Sequence, residues 1–137
     1  MKRIECRIST VEPVSEDILF IDIQSDQKFG IEDYIEIKQA ALKIGEGESF
    51  YNIINLGEFT IPDREARLAS CSLEGSYYKK ADAFVIQSLP QKLVVKLFLK
   101  THKPVVPTRV FNTREEAEKW IKSIRSTRIS LNRNLIL

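Results

Sequence analysis

One histidine, two cysteines and a row of lysines are the residue types in this chain that chemistry most often uses. A nucleophile triad needs Ser or Cys close to a histidine. His102 stands alone in the turn after the most apolar helical stretch, and a lone loop histidine reads as a solvated surface residue. Cys6 and Cys71 are far apart and form no Cys-x-x-Cys, so they read as two buried free thiols of a reducing compartment. One His, two distant Cys and scattered carboxylates offer no metal-ligand spacing. Glu32, Asp33 and Glu36 read as a solvated helix face, and no motif supports paired carboxylates for acid–base work. Gly45-Glu-Gly47 lacks the lysine and the helix start of a phosphate loop. No enzyme activity, cofactor or metal is expected.

Two features stand above this background. Thr108-Arg109 falls where a strand is expected to leave the sheet, and an arginine there suits bidentate contact with a carboxylate or phosphate. The competing reading is an internal ion pair with a carboxylate such as Glu65. The second feature is Lys92, Lys96 and Lys100, which share one strip of the helix Pro90–Thr101, with Lys103 near its end. Leu93, Val94, Val95, Leu97, Phe98 and Leu99 cover roughly 240° of that helix, whereas one side of a sheet needs nearer ~100°. The surplus apolar surface points to a partner. Leu93 and Leu97 are expected to pack on the sheet, which leaves Val95 and Leu99 outside beside Lys92, Lys96 and Lys100 as an association surface.

The elements that position these residues follow from period and punctuation. Ile4, Cys6 and Ile8 alternate like a half-buried strand, and beyond Pro13 the run Ile18–Ile23 completes a hairpin. A helix from about Ile31 to Ile44 stops at Gly45 and Gly47. Phe50–Leu56 is apolar on both faces, as an interior parallel strand is. Thr60 is the expected N-cap of the next helix, with Pro62 in its first turn and Asp63 as the alternative cap. Ala66, Ala69, Ser70 and Leu73 make its small-residue stripe, and Tyr77–Lys80 leads into a βαβ unit with strands at Ala83–Ile86 and Thr108–Phe111. Asn112 or Thr113 caps a final helix, Arg114–Ile124, and Thr113-Arg-Glu-Glu116 matches a capping box. The order β-β-α-β-α-β-α-β-α predicts an α/β domain over residues 1–124, one mixed and mostly parallel sheet with right-handed crossovers. Residues 125–137 form a tail, expected as an edge strand or an arm on a neighbour.

The chain has the length of one domain, 137 residues, and 43% hydrophobic with 29% charged residues is a globular balance. No run nears the ~18 apolar residues of a spanning helix. Glu5 and Arg7 interrupt the basic start MKRIECRIST, so it does not read as a signal peptide, and a cytoplasmic location is expected. Charge is uneven. Residues 1–76 hold 8 Lys/Arg against 15 Asp/Glu, net −7, and residues 77–137 hold 13 against 4, net +9. Such halves suit an anionic partner, or each other within one molecule or across a dimer.

That order, with YNIINLGEFTIPDREARLA, ADAFVIQSLPQKLVVKLFLK and KPVVPTRVFNTREEAEKWI, resembles the small uncharacterised bacterial STAS/SEC14-like proteins over roughly residues 8–124. The resemblance implies the fold shared by anti-sigma-factor antagonists, and no assigned activity. In those antagonists an aspartate and a phosphorylatable serine open the helix after the strand equivalent to Phe50–Leu56. Asp63 aligns with the aspartate, but Arg64 and Glu65 follow it, so a phospho-switch is not expected. The expected function is a non-enzymatic protein-interaction module, self-associating or binding another protein. The alternative is a binder of lipid or of an anionic membrane surface, favoured by the basic, over-apolar helix. Nucleic acid is not expected, because the basic residues lack interleaved aromatics.

Overall fold

The computed structural model describes residues 2–136, with side chains through Arg128. Its main sheet has six strands. β1 (Ile4–Glu5), β2 (Ser9–Pro13) and β3 (Ile18–Ile23) are antiparallel neighbours. β5 (Phe50–Leu56), β7 (Lys79–Val85) and β8 (Thr108–Phe111) then extend the sheet in parallel, in the order β1-β2-β3-β5-β7-β8. A separate parallel pair joins β4 (Lys28–Phe29) to β6 (Ile61–Pro62). This is the mixed, mostly parallel α/β sheet expected from the sequence. The opening hairpin differs in register. The strand expected through Ile8 breaks after Glu5, where the Cys6 amide donates to the Ser9 carbonyl at 2.8 Å, and β2 lies later in the chain. Pro13 fits there because β1 pairs only as far as Val11, so its missing N–H costs no ladder bond on that side.

Each step from β3 to β5, β7 and β8 moves the same way across the sheet. Right-handed crossovers therefore put α1 (Ile31–Gly45), α2 (Arg64–Cys71) and α4 (Leu89–Thr101) on one face. The short α3 (Leu73–Ser76) links α2 to β7. Alternation along the strands divides the core accordingly. Leu19, Ile21, Ile54 and Leu56 pack with Ala66 of α2 and Val95 of α4, whereas Tyr51, Ile53, Ala83 and Phe111 pack with Ala117 and Ile121 of α5 (Arg114–Ile136) on the reverse face.

Two local expectations are corrected. Asp63, not Thr60, caps α2, its Oδ1 accepting from the Ala66 amide at 2.9 Å. Thr60 is buried instead, its Oγ1 accepting from the Gln27 amide at 3.0 Å and donating to the Gln24 carbonyl at 2.6 Å. The tail is not an edge strand, because α5 continues as helix to Ile136. Arg125 holds it against the hairpin, its Nη1 lying 2.8 and 3.0 Å from the Asp17 carboxylate oxygens.

Candidate functional site

Helix α4 begins after Ser88 with Pro90 in its first turn, where a missing N–H is harmless. It touches the body of the protein sparingly, and only Gln91 and Val95 of its thirteen residues are buried. Gln91 is polar yet 2% exposed, because Nε2 donates to the carbonyls of Gly57 at 2.8 Å and Thr60 at 2.7 Å. These two bonds pin the start of α4 to the loop that follows β5. They also set the rotation of the helix, and the rotation is the reverse of the expected one. Val95 is buried and Leu99 half-buried against the core, while Leu93 and Leu97 are 60% and 67% exposed. Leu89 joins them at 65%, so leucines spaced by four form an outward stripe. Lys96 and Lys100 are exposed, but Lys92 is half-buried and donates to Asn112 Oδ1.

Between α4, α2 and the sheet lies an apolar cavity of about 80 Å³. Ile21, Ile54 and Phe84 come from the strands, Ala66 from α2, and Val95 and Leu99 from α4. An apolar cavity of ~150 Å³ is what accommodates benzene in a well-packed protein, so this one is smaller than a benzene site. A longer apolar guest enters only if a wall moves. The strands are locked in a ladder, and α4 is the wall with little buried surface. At the C-terminal end of α4 the Phe98 ring lies 5.1 Å from the Arg67 guanidinium of α2 and stacks on His102 at 4.4 Å. Arg67 Nε and His102 Nδ1 are buried there without hydrogen-bond partners in the protein.

The far end of the cavity is polar. Asp82, Ser70, Cys71, Tyr34 and Tyr78 line it, and behind Asp82 lies Lys79. The Lys79 ammonium donates to Asp82 Oδ2 at 2.5 Å and to the Ser70 carbonyl at 2.8 Å, with Ser70 Oγ at 3.3 Å. Asn52 Nδ2 donates to Asp82 Oδ1 at 3.1 Å. Residues three apart on a strand normally face opposite ways. Phe50 pairs with Lys79 and Tyr51 with Ala81, so Lys80 is an extra residue that brings Lys79 and Asp82 to one face. Burial pulls the lysine down, but Asp82 and Tyr34 together outweigh it, and the net direction is up, so the lysine stays charged. Burial drives Tyr78 well above the ordinary phenol range and also raises Tyr34. Burial raises the Cys71 thiol too, which keeps it in the non-nucleophilic thiol form. A charged, fully partnered lysine and protonated tyrosines and thiol describe a structural polar cluster rather than an activated nucleophile.

The other residues singled out by sequence do not converge. Thr108 and Arg109 open β8 rather than leave it, and as strand neighbours they face opposite sides of the sheet. Thr108 lines the cavity, its Oγ1 donating to the Val106 carbonyl at 3.0 Å. Arg109 is exposed on the reverse side, 5.2 Å over the Phe111 ring, and no ion pair to Glu65 or another carboxylate is found among the described residues. The Thr108 and Arg109 side chains therefore do not converge on one point. Asp33 is not part of a solvated face. It is 7% exposed and accepts from Arg7 Nε and Nη2 at 2.9 and 2.8 Å and from the Gly30 amide at 2.9 Å. The Arg7 hydrogen bonds hold its carboxyl below the ordinary range despite partial burial. No group of three or more His, Cys, Asp and Glu among the described residues can hold a metal ion, and none of their helices is long and apolar enough to cross a membrane.

A hairpin-led parallel sheet with three crossover helices on one face and a final helix on the other defines an α/β domain of SpoIIAA-like, or STAS, type. The chain belongs to the family described as "Domain of unknown function (DUF7793)", whose model matches residues 13–125. Among solved structures the fold is similar to an uncharacterised DUF3478-family protein with a SpoIIAA-like fold from Shewanella loihica PV-4. That likeness has a TM-score of 0.56 at 16% identity, over 82% of this chain and 90% of that one. At such identity it shows the fold alone, and the resemblance to STAS-like proteins read from sequence holds at that level. No curated protein matches the chain.

Proposed function

We propose that this protein binds an amphiphile non-enzymatically, with an apolar chain in the cavity beneath α4 and α4 as the cover that moves to admit it. The observation that carries this reading is an almost wholly apolar cavity walled on one side by a helix with two buried residues. Sites for apolar small molecules are concave, apolar and furnished with few polar groups, and this cavity has that lining at a smaller volume, which is why α4 must move to admit a chain. The outward stripe Leu89, Leu93 and Leu97 supports the same reading, since leucines beside Lys96 and Lys100 suit an anionic bilayer from which an amphiphile is taken up. Organic extraction of gel-filtered protein followed by mass spectrometry tests it. A chain-bearing amphiphile at near-stoichiometric amount is expected. Folded protein that carries none, and takes up none from vesicles containing anionic lipid, overturns it.

A second reading, self-association or docking on another protein, is favoured by the same leucine stripe, because monomeric proteins seldom leave large apolar side chains in rows. Under it residues 1–76 of a second copy supply the acidic surface that meets Lys96 and Lys100. Sedimentation distinguishes the two: a concentration-dependent dimer favours association, and a monomer pulled down by anionic vesicles favours the amphiphile.

A further inference from the structure

The charges around the cavity indicate what kind of head group its guest carries. Among its lining residues two are charged, Asp82 and Arg67. Asp82 is neutralised by Lys79 at 2.5 Å, with both side chains nearly inaccessible. Arg67 has no ion-pair partner among the described residues. Its Nη1 donates to the Pro62 carbonyl at 2.6 Å, which fixes the guanidinium, and its plane lies near Phe98 of α4. The Nε–H is buried with no acceptor. A guanidinium is always protonated, so this buried donor, which has no acceptor within the protein, can take one from a ligand.

Resting on the reading that the cavity holds an apolar chain, we propose that Arg67 receives the head group, and that the ligand class is a single-chain anionic amphiphile with a carboxylate head. The chain lies among Ile54, Phe84, Val95 and Leu99, and the carboxylate meets Arg67 beside Phe98, where α2 and α4 face each other. A planar carboxylate matches the rigid fork of arginine better than it matches a lysine point charge. Asp82, already paired, adds no repulsion of comparable strength.

Calorimetric titration with decanoate, decanol and acetate separates head from chain. Decanoate is expected to bind at least about tenfold tighter than decanol, the margin of a charge-assisted hydrogen bond over a neutral one, with acetate too weak to detect. Arg67→Gln should bring decanoate to the affinity of decanol while leaving decanol unchanged, and retained decanol binding shows that the variant is folded. Equal affinities in the unsubstituted protein overturn the head-group assignment and leave the cavity reading intact. So does a decanoate preference that survives Arg67→Gln and vanishes in Lys96→Gln/Lys100→Gln. Binding of neither chain compound overturns the cavity reading itself, and the head-group assignment with it.

Discussion

The Lys79 ammonium and the Asp82 carboxylate lie 2.5 Å apart with almost no exposure of either side chain, because the extra residue Lys80 turns both to one face of β7. Removing one member leaves an uncompensated buried charge. Lys79→Met or Asp82→Leu alone should each lower stability by about 3–5 kcal/mol, whereas the double variant should recover most of that loss. Urea denaturation with matched slopes is the measurement. Single variants within about 1 kcal/mol of the unsubstituted protein would show that the pair is hydrated rather than buried.

The rotation of α4 is open to a direct check. Leu93→Glu and Leu97→Glu, at exposed positions, should change stability by no more than about 0.5 kcal/mol each. Val95→Glu puts a carboxylate into the core and should cost at least about 2 kcal/mol. The opposite ranking in thermal melts would restore the orientation read from sequence. The same leucine variants, if the protein self-associates, should sediment as monomers.

Gln91 fastens the first turn of α4 through two carbonyls. Gln91→Ala should speed amide hydrogen exchange across Leu93–Thr101 and leave β5 protected, since only the local opening of α4 becomes easier. Uniformly faster exchange through the sheet would mean that α4 opens only with global unfolding, which is incompatible with a moving cover.

Asp33 makes stability depend on acid. Its folded pKa is depressed, chiefly by the Arg7 hydrogen bonds, so its contribution is fully present above the unfolded value of ~3.9 and is lost as pH falls through the folded one. The melting temperature gap between the unsubstituted protein and Asp33→Asn should therefore be constant from neutral pH to about 5 and narrow below about 4. A gap independent of pH down to acid unfolding would remove the Arg7–Asp33 pair from the account.

Much of the fold was legible in residue pattern. The doubly apolar Phe50–Leu56 is the central parallel strand, and glycine and proline punctuation placed α1 and β8 within a residue or two, while α2 starts three residues later than its expected Thr60 cap implied. The cavity was not legible, for reasons of geometry. Six apolar residues spread around α4 let either flank face the sheet, and periodicity cannot choose between them. Gln91, buried by bonds to two carbonyls distant in the chain, makes the choice. Lys79 was likewise hidden, because a one-residue bulge changes which side chains share a face and leaves no mark in composition. Arg67 sits in a helix as any solvated arginine does. Only its contact with Phe98 of α4, a separate element, and its unpartnered Nε set it apart.

Methyl-resolved NMR during titration with decanol tests the central claim most directly, because it reports which side chains meet the guest. Binding beneath α4 should shift the methyls of Ile21, Ile54, Val95 and Leu99, which border the cavity, with little change at the exposed Leu89 and Leu93. Shifts confined to Leu89, Leu93 and Leu97, or no shifts at all, would contradict a ligand site under this helix.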